Sequence, residues 1–457
     1  MTPPAAPPAL PARPASPAPL APLAPLAPRR AVGALLTLLT LLTLLTLLTL
    51  NALGCAPGEA GAPGGAGAGG GGRPPIRLWH AYRGEERAAL ERAARRFEER
   101  TGQAVSTLAL PYSAFPNKLQ AAAARGNGPD VFIFAHDRLG DWAAAGLVEP
   151  LGFWVSADER AALLTPTVEA LEHEGNLYGL PLSCKTLALF YHRGLVPAPP
   201  STTDALWAAA RGARAAAAAA GATPPWGLAA PELSSLYFHA PWLHAHGGDA
   251  LDLEGRAGAA VASARYLRAR VEEGLVPAEV NGALASELFR GGRLAFLVSG
   301  PWLRGDLAGF SDWGVAPLPT LSETGRPLAP YLGVEAVMMS SRARDPAGAL
   351  ALMRALAGEE EARARLAAGQ LAARRAPYEE PGALADPWLR AFRAQLERAA
   401  PMSGAPAMRA AWTPLQRALS SSVVYGESPE VAFEEARRAL AASLRESSLG
   451  DSAEGGR

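Results

Sequence analysis

Asp137 and Arg138 stand side by side directly after the apolar run Val131–Ala135. An ionised Asp accepts from two neighbouring hydroxyls, and an Arg donates from a planar fork. The pair therefore has the chemistry to hold a molecule rich in hydroxyls. The plainer reading is an N-cap Asp beside a surface Arg. No nucleophile–base arrangement of the kind covalent catalysis needs is visible. His239, His244 and His246 suggest a metal cluster by spacing. They share their segment with Tyr237, Phe238 and Trp242, which suits one buried helix, and no metal or other cofactor is expected. The two cysteines make no disulfide framework: Cys184 lies in an apolar, strand-like run and reads as a small buried hydrophobe.

The elements that must position these residues alternate along the chain. Ile76–Trp79 reads as a strand. Glu85–Thr101 carries apolar residues at Leu90, Ala93, Ala94 and Phe97, a helical period ended by Gly102. Ala104–Leu110 alternates as a strand, Phe115–Arg125 reads as a helix, and Gly126-Asn127-Gly128-Pro129 as a turn into the buried strand Val131–Ala135. Asp137 and Arg138 thus fall at the carboxyl end of a strand, where open α/β sheets bind ligands. Strands and helices keep alternating through Leu177–Leu182, Thr186–His192, Ala205–Ala220, Ala257–Glu273, Ala283–Arg290 and Leu294–Ser299, which predicts an α/β fold. After Ala336 long helices are expected over about 346–368, 386–398, 406–422 and 428–446, then a polar, frayed tail over 447–457.

Of the 457 residues 43 are Lys or Arg and 43 are Asp or Glu. The first 54 hold three arginines and no acid, so cleavage before Cys55 leaves a slightly acidic chain with no basic surplus for nucleic acid. Residues 1–28 are nearly all Pro, Ala and Leu. Arg29 and Arg30 precede the apolar run Ala31–Leu50, and small residues precede a Cys, which is the order of a secretion signal. Ala52-Leu53-Gly54-Cys55 resembles the bacterial lipobox with Ala and Leu interchanged, so 1–54 is read as a signal region and Cys55 as the lipidated residue. The alternatives are an uncleaved transmembrane helix, for which twenty apolar residues suffice, and a soluble secreted product. All three put residue 76 onward outside the cytoplasm. The Gly, Ala and Pro that fill 56–74 make 55–75 a lipid-anchored, flexible tether.

Four segments, taken in order, resemble one family. Gly128 through Arg138 is similar to a strand and loop of the maltose/maltodextrin-binding proteins of ABC importers. Leu189 through Pro197 resembles the strand entering their second lobe, and Ser299-Gly300-Pro301-Trp302 their Gly-Pro-Trp turn. Met402 through Trp412, with Pro406, Met408 and Trp412 in register, resembles their late Trp-bearing helix. The resemblance spans about 76–446. It implies a two-lobed periplasmic-binding-protein fold of class II type, with a ligand cleft between lobes. Lobe one would hold 76–183 and 333–375, and lobe two 187–331 and 376–446. Hinge crossings would fall at Cys184–Thr186, Leu332–Glu335 and Ala372–Ala376.

The same resemblance implies a site. Asp137 and Arg138 would bond sugar hydroxyls, while Tyr237, Trp302 and Trp412 would stack on sugar rings. Phe134 stands where the family has Trp and could still stack. Lys185 and Ser235 stand at Glu positions of the family, so hydroxyl recognition should differ. Tyr82, Arg83 and Glu335 are further cleft candidates. The implied function is an extracytoplasmic receptor, not an enzyme. It would deliver an oligosaccharide (maltose, maltodextrin or a related α-glucoside) to ABC permease subunits with their ATPase, acting as a monomer on a lipid anchor. The alternatives are a sugar-sensing or adhesion protein reusing the fold, and a glycoside hydrolase pairing Asp137 with Glu335.

Overall fold

The computed structural model of the chain describes residues 73–230 and 233–454. The signal region, Cys55 and the tether up to residue 72 lie outside the described residues, as does the apolar run Ala31–Leu50. Among the described residues no helix is long and apolar enough to cross a membrane.

Two sheets organise the chain. In chain order their strands are β1 (Ile76–His80), β2 (Val105–Ala109), β3 (Val131–Ala135), β4 (Gly179–Lys185), β5 (Ala188–His192), β6 (Trp226–Ala229), β7 (Leu294–Ser299), β8 (Trp313–Ala316), β9 (Tyr331–Met339), β10 (Leu371–Ala372) and β11 (Ala400–Pro401). The first sheet runs β10-β4-β9-β3-β1-β2, with β11 pairing to β9. β1 is parallel to β2 and β3, and β9 is antiparallel to β3 and β4. The second sheet runs β8-β5-β7-β6.

Local sequence explains the elements that matter for the site. The helix Gly84–Thr101 buries Leu90, Ala93, Ala94 and Phe97, and Gly102 closes it in the left-handed conformation with its N–H on the Glu98 carbonyl. Val131 to Phe134 are all buried, as expected of a strand covered on both faces. Asp130, at the start of β3, accepts from the Arg77 N–H at 2.8 Å and from Arg344 Nη2 at 2.6 Å. That pins the end of the sheet opposite to Asp137.

The chain passes between the sheets from β4 to β5 through Thr186 and Leu187, from β8 back to β9, and from β10 to the helix Pro387–Leu396, which packs on β8 and β5. Thr186 Oγ1 donates to the Tyr331 carbonyl at 3.1 Å, which ties the first two passages together. Leu332–Glu335 lies inside β9, so the second passage comes ahead of that segment rather than within it.

Two other expectations are corrected. The helix expected over 346–368 is two helices, Pro346–Leu356 and Glu359–Ala367, because Gly358 adopts an extended conformation and starts the second. The last helix runs from Pro429 through Ser447 to Glu454 rather than fraying at Ser447.

Candidate functional site

The polar side of the site grows from the end of β3. His136 is fully buried, and its Nδ1 accepts from the Val334 N–H at 3.1 Å while Nε2 lies 2.7 Å from the Met402 carbonyl. A neutral ring protonated on Nε2 satisfies both contacts, and burial holds the ring's pKa below its ordinary value. One imidazole thereby fixes β3 against β9 and against the segment leading into the helix Pro406–Leu419. Gly140 completes the join: its N–H donates to the Gly404 carbonyl at 3.0 Å, and a Cβ there would sit 2.7 Å from that oxygen.

Asp137 and Arg138 follow directly on this pinned turn. Asp137 is half-buried and its Oδ1 has no hydrogen-bond partner. Burial raises its pKa, with His136, Arg138 and Arg409 pulling the other way. The Arg138 guanidinium is also half-buried, with no ion pair or hydrogen bond among the described residues. Asp137 Oδ1 is thus a buried acceptor without a partner, where buried polar groups are usually satisfied.

Glu335 sits beside them on β9, opposite Ala135 of β3 and Ser183 of β4. The β4 register shifts between Glu335 and Ala336, a bulge of the kind that re-aims a side chain at a site. Burial raises the Glu335 pKa, Lys185 lowers it, and Glu86 and Asp137 add to the rise. Lys185 Nζ lies 3.9 Å from Glu335 Oε1 and is half exposed.

The aromatic candidates belong to the second sheet's side. Trp302 opens the turn after β7 and is 46% exposed. Its ring lies over Gly300, where any Cβ would collide with it. Tyr237 is half-buried on the helix Leu236–Ala245, edge-on to Phe238 at 5.7 Å, and burial together with the nearby Cys184 raises its pKa. Cys184 is buried at the end of β4, its thiol pushed up to about 12 by burial. Ser235 is the N-cap residue of the Tyr237 helix. Trp412 is half-buried on the helix Pro406–Leu419. It sits one turn from Arg409, whose Nη2 bonds Asp141 Oδ1 at 2.8 Å.

A cavity of about 910 Å³ is lined by Tyr82, Ser183, Lys185 and Trp302 together. A second, of about 800 Å³, lies on the other side of Trp302, against Phe238 and Ser299. Asp137, Arg138, Glu335, Tyr237 and Trp412 line neither. Glu335 links the groups, since its charge is felt by Tyr82 as well as by Asp137 and Lys185.

Phe134 is 2% exposed, stacked on Phe115 at 4.7 Å and on Tyr112 at 4.5 Å, so its ring is core rather than an open face for stacking. Arg83 is an exposed N-cap residue, and its neighbour Tyr82 lines the cavity. Tyr112, which the sequence analysis did not single out, stacks on Phe134 and feels the charges of Asp137, Glu335 and Arg138. The only signal was its position in the loop after β2, at the same sheet edge as Asp137. The three helix histidines are engaged otherwise: His239 with Ser263, His244 with the Ala329 carbonyl, and His246 with the Trp242 carbonyl.

Residues 92–388 match the family described as "Bacterial extracellular solute-binding protein". A maltotriose-binding protein of Pyrococcus abyssi is 28% identical over 315 residues, covering 66% of this chain and 67% of its own. A galactooligosaccharide-binding protein of Bacillus subtilis is 24% identical over 374 residues, 77% of this chain and 86% of its own. A cyclo/maltodextrin-binding protein solved with maltotetraose shares the fold at a TM-score of 0.72 and 23% identity, covering 82% of this chain and 99% of the other. The two-lobed α/β architecture is therefore that of maltodextrin-binding proteins.

Proposed function

The chain belongs to the bacterial extracellular solute-binding protein family, and from that premise we propose that it delivers an oligosaccharide to an ABC importer. The sugar is of maltose, maltodextrin or related α-glucoside type. The observation that carries this reading is the unpartnered Asp137 Oδ1 beside Arg138, directly after the buried His136 at the carboxyl end of β3. Such a pair offers two acceptor oxygens and a donor fork to vicinal hydroxyls. Trp302, Tyr237 and Trp412 supply flat apolar faces for the C–H sides of the sugar rings.

The mechanism is hinge closure. One ligand bonded by polar groups of the first lobe and stacked on aromatics of the second stabilises the closed form by what it gains from both. The closed form then docks on the permease subunits, which work with their ATPase. The receptor is a monomer that leaves its ligand chemically unchanged, tethered outside the cytoplasm through a lipid on Cys55. Lys185 and Ser235, at positions where the resembling family has Glu, alter which hydroxyls are read. A galactooligosaccharide is the second reading, favoured by the relative of that name.

A thermal-shift and calorimetry panel of maltose, maltotriose, maltotetraose, trehalose and a galactooligosaccharide tests the ligand, because binding to the folded state raises apparent stability. Binding with compaction in solution scattering is expected for the α-glucosides. A panel in which none binds, or in which maltotetraose is hydrolysed, sinks the reading.

A further inference from the structure

Phe134, at the family's Trp position, has its ring in the core, yet an aromatic face stands beside it. Tyr112 follows Pro111 in the loop after β2, starting the short turn Tyr112–Ala114. β2 and β3 are both parallel to β1, so this loop leaves the sheet at the same edge as Asp137. The Tyr112 ring stacks on Phe134 with centroids 4.5 Å apart and planes within 19°. It is 47% exposed, although Phe134 beneath it is not. Its hydroxyl feels the charges of Asp137, Glu335 and Arg138 and has no hydrogen bond among the described residues.

We propose that Tyr112 is the ligand-stacking residue of the first lobe, taking the part that the ring at position 134 would otherwise play. The claim rests on the sugar-receptor reading and deepens it by naming where a pyranose ring lies: its C–H face on Tyr112, its edge hydroxyls towards Asp137 and Arg138. Phe134 acts beneath it as a buried backing that holds the tyrosine flat, so little side-chain freedom is lost on binding. A tyrosine also brings a hydroxyl, which a phenylalanine at 134 lacks. At the same end of the sheet as Asp137, that hydroxyl can donate or accept towards the same sugar edge.

The competing role is purely structural: Tyr112 covers Phe134 and touches no ligand. Three variants separate the two by calorimetry with maltotetraose and by melting of the unliganded protein. Tyr112→Leu keeps an apolar cover on Phe134 but removes the flat face, so an unchanged melt with affinity about ten-fold weaker or worse is expected. Tyr112→Ala should lose at least as much affinity. Tyr112→Phe keeps the face and should retain most of it, within about three-fold of the parent. Parent-like affinity in both Tyr112→Leu and Tyr112→Ala overturns the proposal while leaving the receptor reading intact. A parent protein that binds no oligosaccharide in the panel overturns both.

Discussion

The two sides of the site are built on different principles. The first lobe's side, the proposed Tyr112 face apart, is polar, and its placement depends on hydrogen bonds deep in the protein: His136 joins β3, β9 and the Met402 segment, and Asp137, Arg138 and Glu335 follow from those strands. The second lobe's side is aromatic, and its placement depends on shape: Trp302 lies on the bare backbone of Gly300, and Trp412 rides a helix packed on the second core. A polar side specifies hydroxyl directions but pays a desolvation cost, visible in the raised pKa of Asp137 and Glu335. An aromatic side contributes affinity with less angular demand. The difference implies that errors in the first lobe's frame are expensive, and errors in the second are graded.

Removing the frame should have the largest effect. His136→Ala strands the Val334 N–H and the Met402 carbonyl without the ring between them and leaves a void. The expected loss of folding stability is about 3–5 kcal/mol, read by urea unfolding. A loss under about 1 kcal/mol would mean the polar side does not depend on this imidazole.

Next come the binding groups. Asp137→Ala should weaken maltotetraose binding by roughly 1.5–3 kcal/mol, the range for hydrogen bonds to charged groups. Trp412→Ala should cost about 1–3 kcal/mol if stacking on bases is a guide to stacking on sugars. Calorimetry on both singles and the double mutant sharpens the contrast. Two sides gripping one ligand in one closed state should couple, whereas strict additivity would argue that the residues act at separate places. Gly300→Ala should act on the aromatic side alone. The added methyl must move the Trp302 ring, so affinity should fall by about 1 kcal/mol, comparable to one lost aromatic contact, with Asp137 untouched. A crystal structure of the variant with Trp302 unmoved would contradict this.

Within the first lobe the sequence made the polar groups more readable than the aromatic ones. Val131–Ala135 is apolar throughout, so its end, and with it Asp137, could be placed from local pattern alone. The Gly84–Thr101 helix was equally plain from its spacing and its terminal Gly102. Tyr112 was not readable, because its worth comes from stacking on a residue 22 positions on, a tertiary fact. The burial of Phe134 is tertiary in the same way, since Phe115 and Tyr112 enclose it. The split at Gly358 turned on one extended residue inside a helical pattern.

Titration offers the smallest effect and the finest distinction between the two sides. Asp137 and Glu335 hold their protons to higher pH in the fold than in the unfolded chain, because burial penalises the charged form. Unfolded carboxyls titrate near about 4. Between that value and each raised folded value the folded chain binds more protons, so stability falls as pH rises through the window. The contribution is whole below the unfolded pKa and gone above the folded one. A sugar donating hydroxyls to these carboxylates prefers them ionised, so its affinity should move the other way, rising with pH across the same window. Asp137→Asn should flatten both slopes in part, leaving the share due to Glu335. Trp412→Ala should lower affinity at every pH and leave the slope alone. Calorimetry across mildly acidic to neutral buffers, with proton uptake read from buffers of different ionisation heat, checks the pair. If Trp412→Ala changes the slope and Asp137→Asn does not, the division of labour between the two sides is wrong.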